Sequence, residues 1–117
     1  MLQFIEYPKC STCRKAKAEL NQLGVDFEAV DIVKETPSQE QLLQWMTHSD
    51  LEIKSFFNTS GIKYRELGLK DKVTQFSAEE AAALLATDGM LIKRPLLVQD
   101  GRIVQVGYRT EYKELNL

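Results

Sequence analysis

The chain has 117 residues, 15 of them Lys or Arg and 17 Asp or Glu, for a formal net charge of −2, with 44% hydrophobic and 27% charged residues. This is the length of one ordinary domain, with a core large enough to need no disulfide or metal staple, and the charge balance excludes a broadly basic nucleic-acid binder. No apolar run approaches the roughly 18 residues of a membrane span, and the N-terminus MLQFIEYPKC lacks the basic start and apolar stretch of a signal peptide, so a cytoplasmic protein is expected.

Leu2 to Tyr7 is a short apolar and aromatic run ending at Pro8, which predicts a strand entering a loop. Thr12 to Leu23 is rich in helix formers; Cys13, Ala16, Leu20 and Leu23 recur at helical spacing and Gly24 stops the helix. Val25 to Val33, carrying Phe27, Val30 and Ile32, predicts a second strand. Strand, helix and strand over this distance make a βαβ unit with parallel strands and a right-handed crossover. Ser38 and Gln41, just after Pro37, form a capping-box pattern, so a helix is expected from about Ser38 to His48. Trp45 reads as core of this region and His48 as a solvent-facing residue at the helix end. Shorter helical pieces are expected at Ile53 to Phe57 and Tyr64 to Leu67, and the cluster Lys63, Arg65, Lys70 and Lys72 reads as a solvated face. Ser77 and Glu80 form a second capping box, opening an alanine-rich helix through Ala86, with Gly89 just beyond it.

Strands then return. Arg94-Pro95 precedes one, a position that suits a cis peptide, and Arg94 taken alone reads as a surface cation. Pro95 to Gln99 is leucine-rich and β-branched, Asp100-Gly101 is a hairpin turn signal, and Ile103 to Val106 forms the partner strand. Tyr108 to Leu115 is expected to be a last helix. Without linker, repeat or low-complexity segment, the expectation is a single α/β domain spanning residues 1–117, with a helical insert at about 37–90.

The only two cysteines, Cys10 and Cys13, form a Cys-x-x-Cys on the loop between the first strand and the first helix. Cys10 falls at or just before the helix N-terminus, where free N–H groups and the helix dipole favour a thiolate. Lys9, Arg14, Lys15 and Lys17 add positive charge with no acid among them. Cys13, one turn on, is placed to attack a mixed disulfide on Cys10. A lowered Cys10 pKa and a reversible Cys10–Cys13 disulfide are therefore expected. A zinc site needs four ligands, or three and water, and the single His48 leaves too few. Two structural core cysteines are the other alternative; the strand-to-helix turn and the basic flanks favour redox chemistry.

Cys10-Ser-Thr-Cys13-Arg-Lys-Ala after the first strand, Tyr64-Arg-Glu-Leu-Gly-Leu69 in the middle and Arg94-Pro95-Leu96 before the hairpin resemble the arsenate reductase/Spx family over essentially the whole chain. The resemblance implies a thioredoxin-like fold with a helical insert. It implies a thiol-dependent oxidoreductase in which Cys10 attacks the substrate, a small oxyanion or mixed disulfide, and Arg94 holds the anion; Cys13 would resolve the adduct. No bound cofactor or metal is expected, and glutathione, glutaredoxin or thioredoxin would supply the electrons. Two further anion-binding arginines of the reductases are replaced, one by Phe56-Phe57-Asn58 and one by Val106-Gly107, with Arg102 and Arg109 nearby in sequence. An oxyanion held by Arg94 and helix N–H groups alone would bind less firmly, and the physiological substrate stays open. The family's other class is the redox-sensing transcriptional regulator Spx, for which the resemblance implies the RNA polymerase α subunit as partner and no direct nucleic-acid contact. Cys10 to Ala16 and Val106-Gly107-Tyr108 match this class more closely. However, the glycine with which Spx contacts the polymerase is missing from His48-Ser-Asp-Leu-Glu-Ile53, and the chain ends at Leu117 without the longer basic tail. These departures favour the reductase reading.

Overall fold

The computed structural model describes all residues 1–117. The chain divides into two compact units, the first made of Met1–Asp31 with Arg94–Leu117 and the second of Ile32–Lys93.

In the first unit, β1 (Leu2–Glu6), β2 (Glu28–Asp31), β3 (Leu96–Gln99) and β4 (Arg102–Val106) form one sheet in the order β2-β1-β3-β4. β1 pairs parallel with β2 and antiparallel with β3, and β3 pairs antiparallel with β4 through a register shift at Leu97/Val98. The parallel pair is bridged by α1 (Ser11–Leu23), as the βαβ pattern predicts, although β2 is shorter than the predicted run from Val25 to Val33. Alternation puts Leu2 and Phe4 of β1 on one face with Leu97 opposite Phe4, and Cys13, Ala16 and Leu20 of α1 complete a buried cluster with Tyr112. Phe27 meets Phe4 edge to face at 5.9 Å. Burial of this apolar surface is what holds helix to sheet, at about 25 cal/mol per Å². Gly24, at φ +69°, closes α1. Asp100 and Gly101 both take positive φ, the backbone that a two-residue hairpin turn requires.

The predicted last helix from Tyr108 to Leu115 does not form; only a 3₁₀ turn at Tyr112–Glu114 is present. Side chains take the N–H groups of Tyr112 and Lys113, which a helix would have bonded to the carbonyls of Tyr108 and Arg109, and those of Arg109 and Thr110 before them. Gln105 Oε1 accepts from the N–H groups of Arg109 at 2.7 Å and Thr110 at 3.2 Å. Glu19 of α1 accepts from those of Tyr112 at 2.6 Å and Lys113 at 3.1 Å. The segment is thus held to its neighbours in a path that a regular helix could not follow.

In the second unit, α2 (Gln39–Thr47) and α4 (Ala78–Leu85) pack together, burying Leu42, Trp45 and Met46 from one and Ala81, Ala82 and Leu85 from the other. Both start at complete capping boxes, Ser38 with Gln41 and Ser77 with Glu80. Ile53–Phe56 is a 3₁₀ turn and α3 (Ile62–Glu66) begins two residues before the predicted Tyr64. Phe57 stacks near Phe76 and meets Tyr64 edge to face. No helix of the chain is long and apolar enough to cross a membrane.

Candidate functional site

β1 ends at Glu6, and the chain turns through Tyr7-Pro8-Lys9 so that the Cys10 N–H donates to the Tyr7 carbonyl at 2.9 Å. Cys10 is then the N-cap of α1. Its backbone is extended, its carbonyl accepts the first helical bond from Arg14 at 3.1 Å, and its Sγ accepts the Cys13 N–H at 3.3 Å. A thiol here does what serine or aspartate does at other helix starts: it satisfies an orphan N–H. An anion satisfies it better, and that is the physical origin of a reactive cysteine at this position. Both cysteines are free thiols, Cys10 half-buried and Cys13 wholly buried.

The two thiols are displaced in opposite directions. Burial works against ionisation of Cys10, but hydrogen bonds from Cys13 and Thr12 and the nearby Arg94 guanidinium outweigh it and leave its pKa below the ordinary value. Cys13 is pushed up to about 12, chiefly by burial and further by Cys10 beside it, with the Tyr7 N–H working the other way. Of the two sulfurs, Cys10 is thus the more readily ionised.

Strand register explains how Arg94 reaches this place. Leu96 lies opposite Ile5, and Val106 opposite Leu96, so Arg94 and Gly107 emerge at the end of the sheet from which Tyr7 and Cys10 also leave. The Arg94 guanidinium lies 5.2 Å above the centre of the Tyr7 ring, and the Arg94–Pro95 peptide is cis, as the position before a strand suggested. Arg94 is half-buried, and its charge is one of the influences that lower the Cys10 pKa. The flanking basic residues do less than their number suggests. Lys17 is committed to Glu6 at 2.9 Å, and Lys9, Arg14 and Lys15 are exposed. Glu6 is on the same face of β1 as Leu2 and Phe4, so period-two alternation already aims it toward the helix that carries Lys17.

The remaining sequence candidates separate. Arg102 pairs with Gln99, itself opposite Leu2, so it sits at the other end of the sheet, roughly 13 Å of strand from the Cys10 end. It does not replace a missing arginine. Gly107 uses positive φ and donates its N–H to the Pro95 carbonyl at 2.8 Å, supplying no charge. Arg109 is near the correct end of the sheet but exposed. In the second unit, Phe56 and Phe57 are core residues, and the Asn58 N–H donates to Leu91 at 2.8 Å. His48 is exposed at the end of α2, with Nδ1 2.9 Å from the Gln44 carbonyl oxygen. No three His, Cys, Asp or Glu side chains gather into a metal-binding group. Glu19, Tyr108 and Tyr112, which tie α1 to the C-terminal segment, carried no signal in the sequence, because their partners are brought together only by the fold.

A thiol capping a helix N-terminus, a second thiol one turn on and an arginine from the segment just before β3 define a thioredoxin-like thiol site. Residues 5–115 match the ArsC family, and the chain belongs to that family. It is 50% identical over 115 residues to Uncharacterized protein YusI of Bacillus subtilis, covering 98% of this chain and 97% of that one. It is 26% identical over 104 residues to the Global transcriptional regulator Spx of Streptococcus mutans, covering 89% of this chain and 74% of Spx. Among solved structures, a possible arsenate reductase from Streptococcus mutans UA159 is 62% identical and superposes with a TM-score of 0.97, covering 100% of this chain and 98% of that one.

Proposed function

We propose that the protein is a thiol-dependent oxidoreductase in which Cys10 attacks and Cys13 resolves. The observation that carries this is the contrast at one helical turn: Cys10 Sγ is a capping acceptor beside Arg94, while Cys13 lies buried beneath it with a raised pKa. The Cys10 thiolate displaces oxygen, as water, from the central atom of an oxyanion, or displaces one sulfur of a mixed disulfide. The Cys13 thiolate then attacks Cys10 Sγ. The Cys10–Cys13 disulfide forms, the bond from Cys10 to the adduct breaks, and its electron pair stays with the departing group. Arg94 and the free N–H groups of the α1 first turn face the anionic part of the substrate. Glutathione, glutaredoxin or thioredoxin returns the dithiol. With Asn58 and Val106-Gly107 where reductases carry arginine, oxyanion binding rests on Arg94 and the helix N-terminus, which favours a substrate other than arsenate.

A second reading, a redox-switched regulator, is favoured by the name of the Spx relative. In it the same disulfide alters a surface that binds the RNA polymerase α subunit. One paired experiment tests both. The reduced protein is incubated with arsenate or a glutathione mixed disulfide and each thiol donor, and in parallel with the polymerase α C-terminal domain. Substrate-dependent turnover that needs Cys10 supports the oxidoreductase. Stoichiometric, oxidation-dependent capture without turnover would replace it with the regulator.

A further inference from the structure

Cys13 has to lose its proton before it can resolve anything, yet it is fully buried in an apolar cluster with Leu2, Phe4, Ala16, Leu20 and Leu97. The one other polar side chain of that cluster is Tyr112, also fully buried, whose hydroxyl has no hydrogen-bond partner. A buried hydroxyl with no partner costs stability, so a phenylalanine would pack there at less cost unless the oxygen is used. The tyrosine is also firmly placed. Its backbone N–H donates to Glu19 Oε1 at 2.6 Å, on the same helix as Cys13, and its ring meets Tyr108 edge to face at 4.9 Å. A charge on Cys13 is felt by the Tyr112 phenol.

We propose that Tyr112 is a positioning residue for the resolving step, its hydroxyl and the Cys13 sulfur drawing together as the thiolate forms so that the O–H donates a hydrogen bond to it. The inference rests on the dithiol reading given above and deepens it by naming what stabilises the second sulfur. The titratable and charged groups facing the pair are Cys10 and Glu19 of α1, Arg94 before β3 and Tyr108 ahead of the C-terminal turn; the Tyr7 N–H also faces Cys13. Of these, Glu19 is occupied by the hydroxyl of Tyr108 and the N–H groups of Tyr112 and Lys113, which leaves the Tyr112 hydroxyl as the side-chain O–H donor available to Cys13.

The test uses dithiobisnitrobenzoate, which separates the two sulfurs in time. Cys10 attacks the reagent, forming a mixed disulfide and releasing a first thionitrobenzoate. Cys13, its proton passing to solvent, then attacks Cys10 Sγ, closing the internal disulfide and releasing a second. In Tyr112→Phe the first release is unchanged. The second slows about tenfold at neutral pH and its pH profile moves upward, with the melting temperature held or raised. Leu115→Ala, which loosens packing against the same cluster and keeps the hydroxyl, lowers the melting temperature and leaves the pH profile of the second release in place. A second release in Tyr112→Phe with wild-type rate and pH profile overturns the proposal. Absence of the first release in the wild-type protein overturns the dithiol reading itself, so the two failures are distinct.

Discussion

The mouth of the first turn of α1 and the core beneath it hold the same side chain three residues apart, and they treat it oppositely. At the mouth, Cys10 receives N–H donors and the field of Arg94, and its pKa falls; in the core, Cys13 meets Leu2, Phe4, Leu97 and Tyr112, and its pKa rises to about 12. Helical geometry starts this division, and the packing around each sulfur completes it. A residue at the N-cap faces the free ends of the backbone dipoles, whereas a residue one turn on, on the apolar stripe, faces the sheet. Because the thiolate and not the thiol is the nucleophile, the proposed dithiol chemistry would begin at Cys10 and leave Cys13 protected.

The most severe way to break that contrast is to remove its reactive member. Cys10→Ser puts a hydroxyl of much higher pKa at the cap, and turnover is expected to fall by at least about a thousandfold. Cys13→Ser keeps the first step and stops there, so mass spectrometry of the intact protein is expected to show a retained adduct on Cys10. Next in size, Arg94→Gln removes the cation and keeps a polar side chain. The pH profile of Cys10 alkylation is expected to move upward, and its rate near neutrality to fall by about tenfold. An unmoved profile would assign the lowered pKa to the N–H groups of the turn alone.

A smaller effect is expected where the helix meets the C-terminal segment. Glu19→Gln weakens three hydrogen bonds to a partly exposed carboxylate and is expected to cost about 1–2 kcal/mol at neutral pH in denaturant unfolding. The folded Glu19 pKa lies below its ordinary value, because its hydrogen-bond donors and Lys113 outweigh burial. Its contribution is therefore present above the unfolded carboxylate pKa and lost as the pH falls through the folded one. The gap between wild type and variant is expected to close on acidification, and a gap independent of pH would show that packing carries the effect. Least of all, Ser77→Ala opens the α4 capping box at a cost of about 1 kcal/mol. Melting curves measure it, and the order of thiol reactivity is expected to stay as it was.

Much of this was legible in the residues. The βαβ start, both capping boxes, the Asp100-Gly101 turn and the Cys-x-x-Cys at a strand-to-helix junction depend on neighbours within a few positions, and local patterns report such dependence faithfully. The C-terminal helix expected after Tyr108 failed for the complementary reason. Nothing nearby shows that Glu19, remote in sequence, will take the N–H groups of Tyr112 and Lys113 that the helix needed.

The charge around Cys10 divides along the same line. Lys9, Arg14, Lys15 and Lys17 were the cations visible beside Cys10 in the sequence, but Lys17 serves Glu6, and the cation that contributes to the lowered Cys10 pKa is Arg94, more than 80 residues on. The amino-acid sequence by itself determined where a thiolate would form, since an N-cap is a local object. Which side chains surround each sulfur, Arg94 beside Cys10 and Leu2, Phe4, Leu97 and Tyr112 around Cys13, was decided only when β3 paired with β1 and the Tyr112 turn closed over α1. Pairing and packing join residues by distance in space, which their spacing along the chain does not encode.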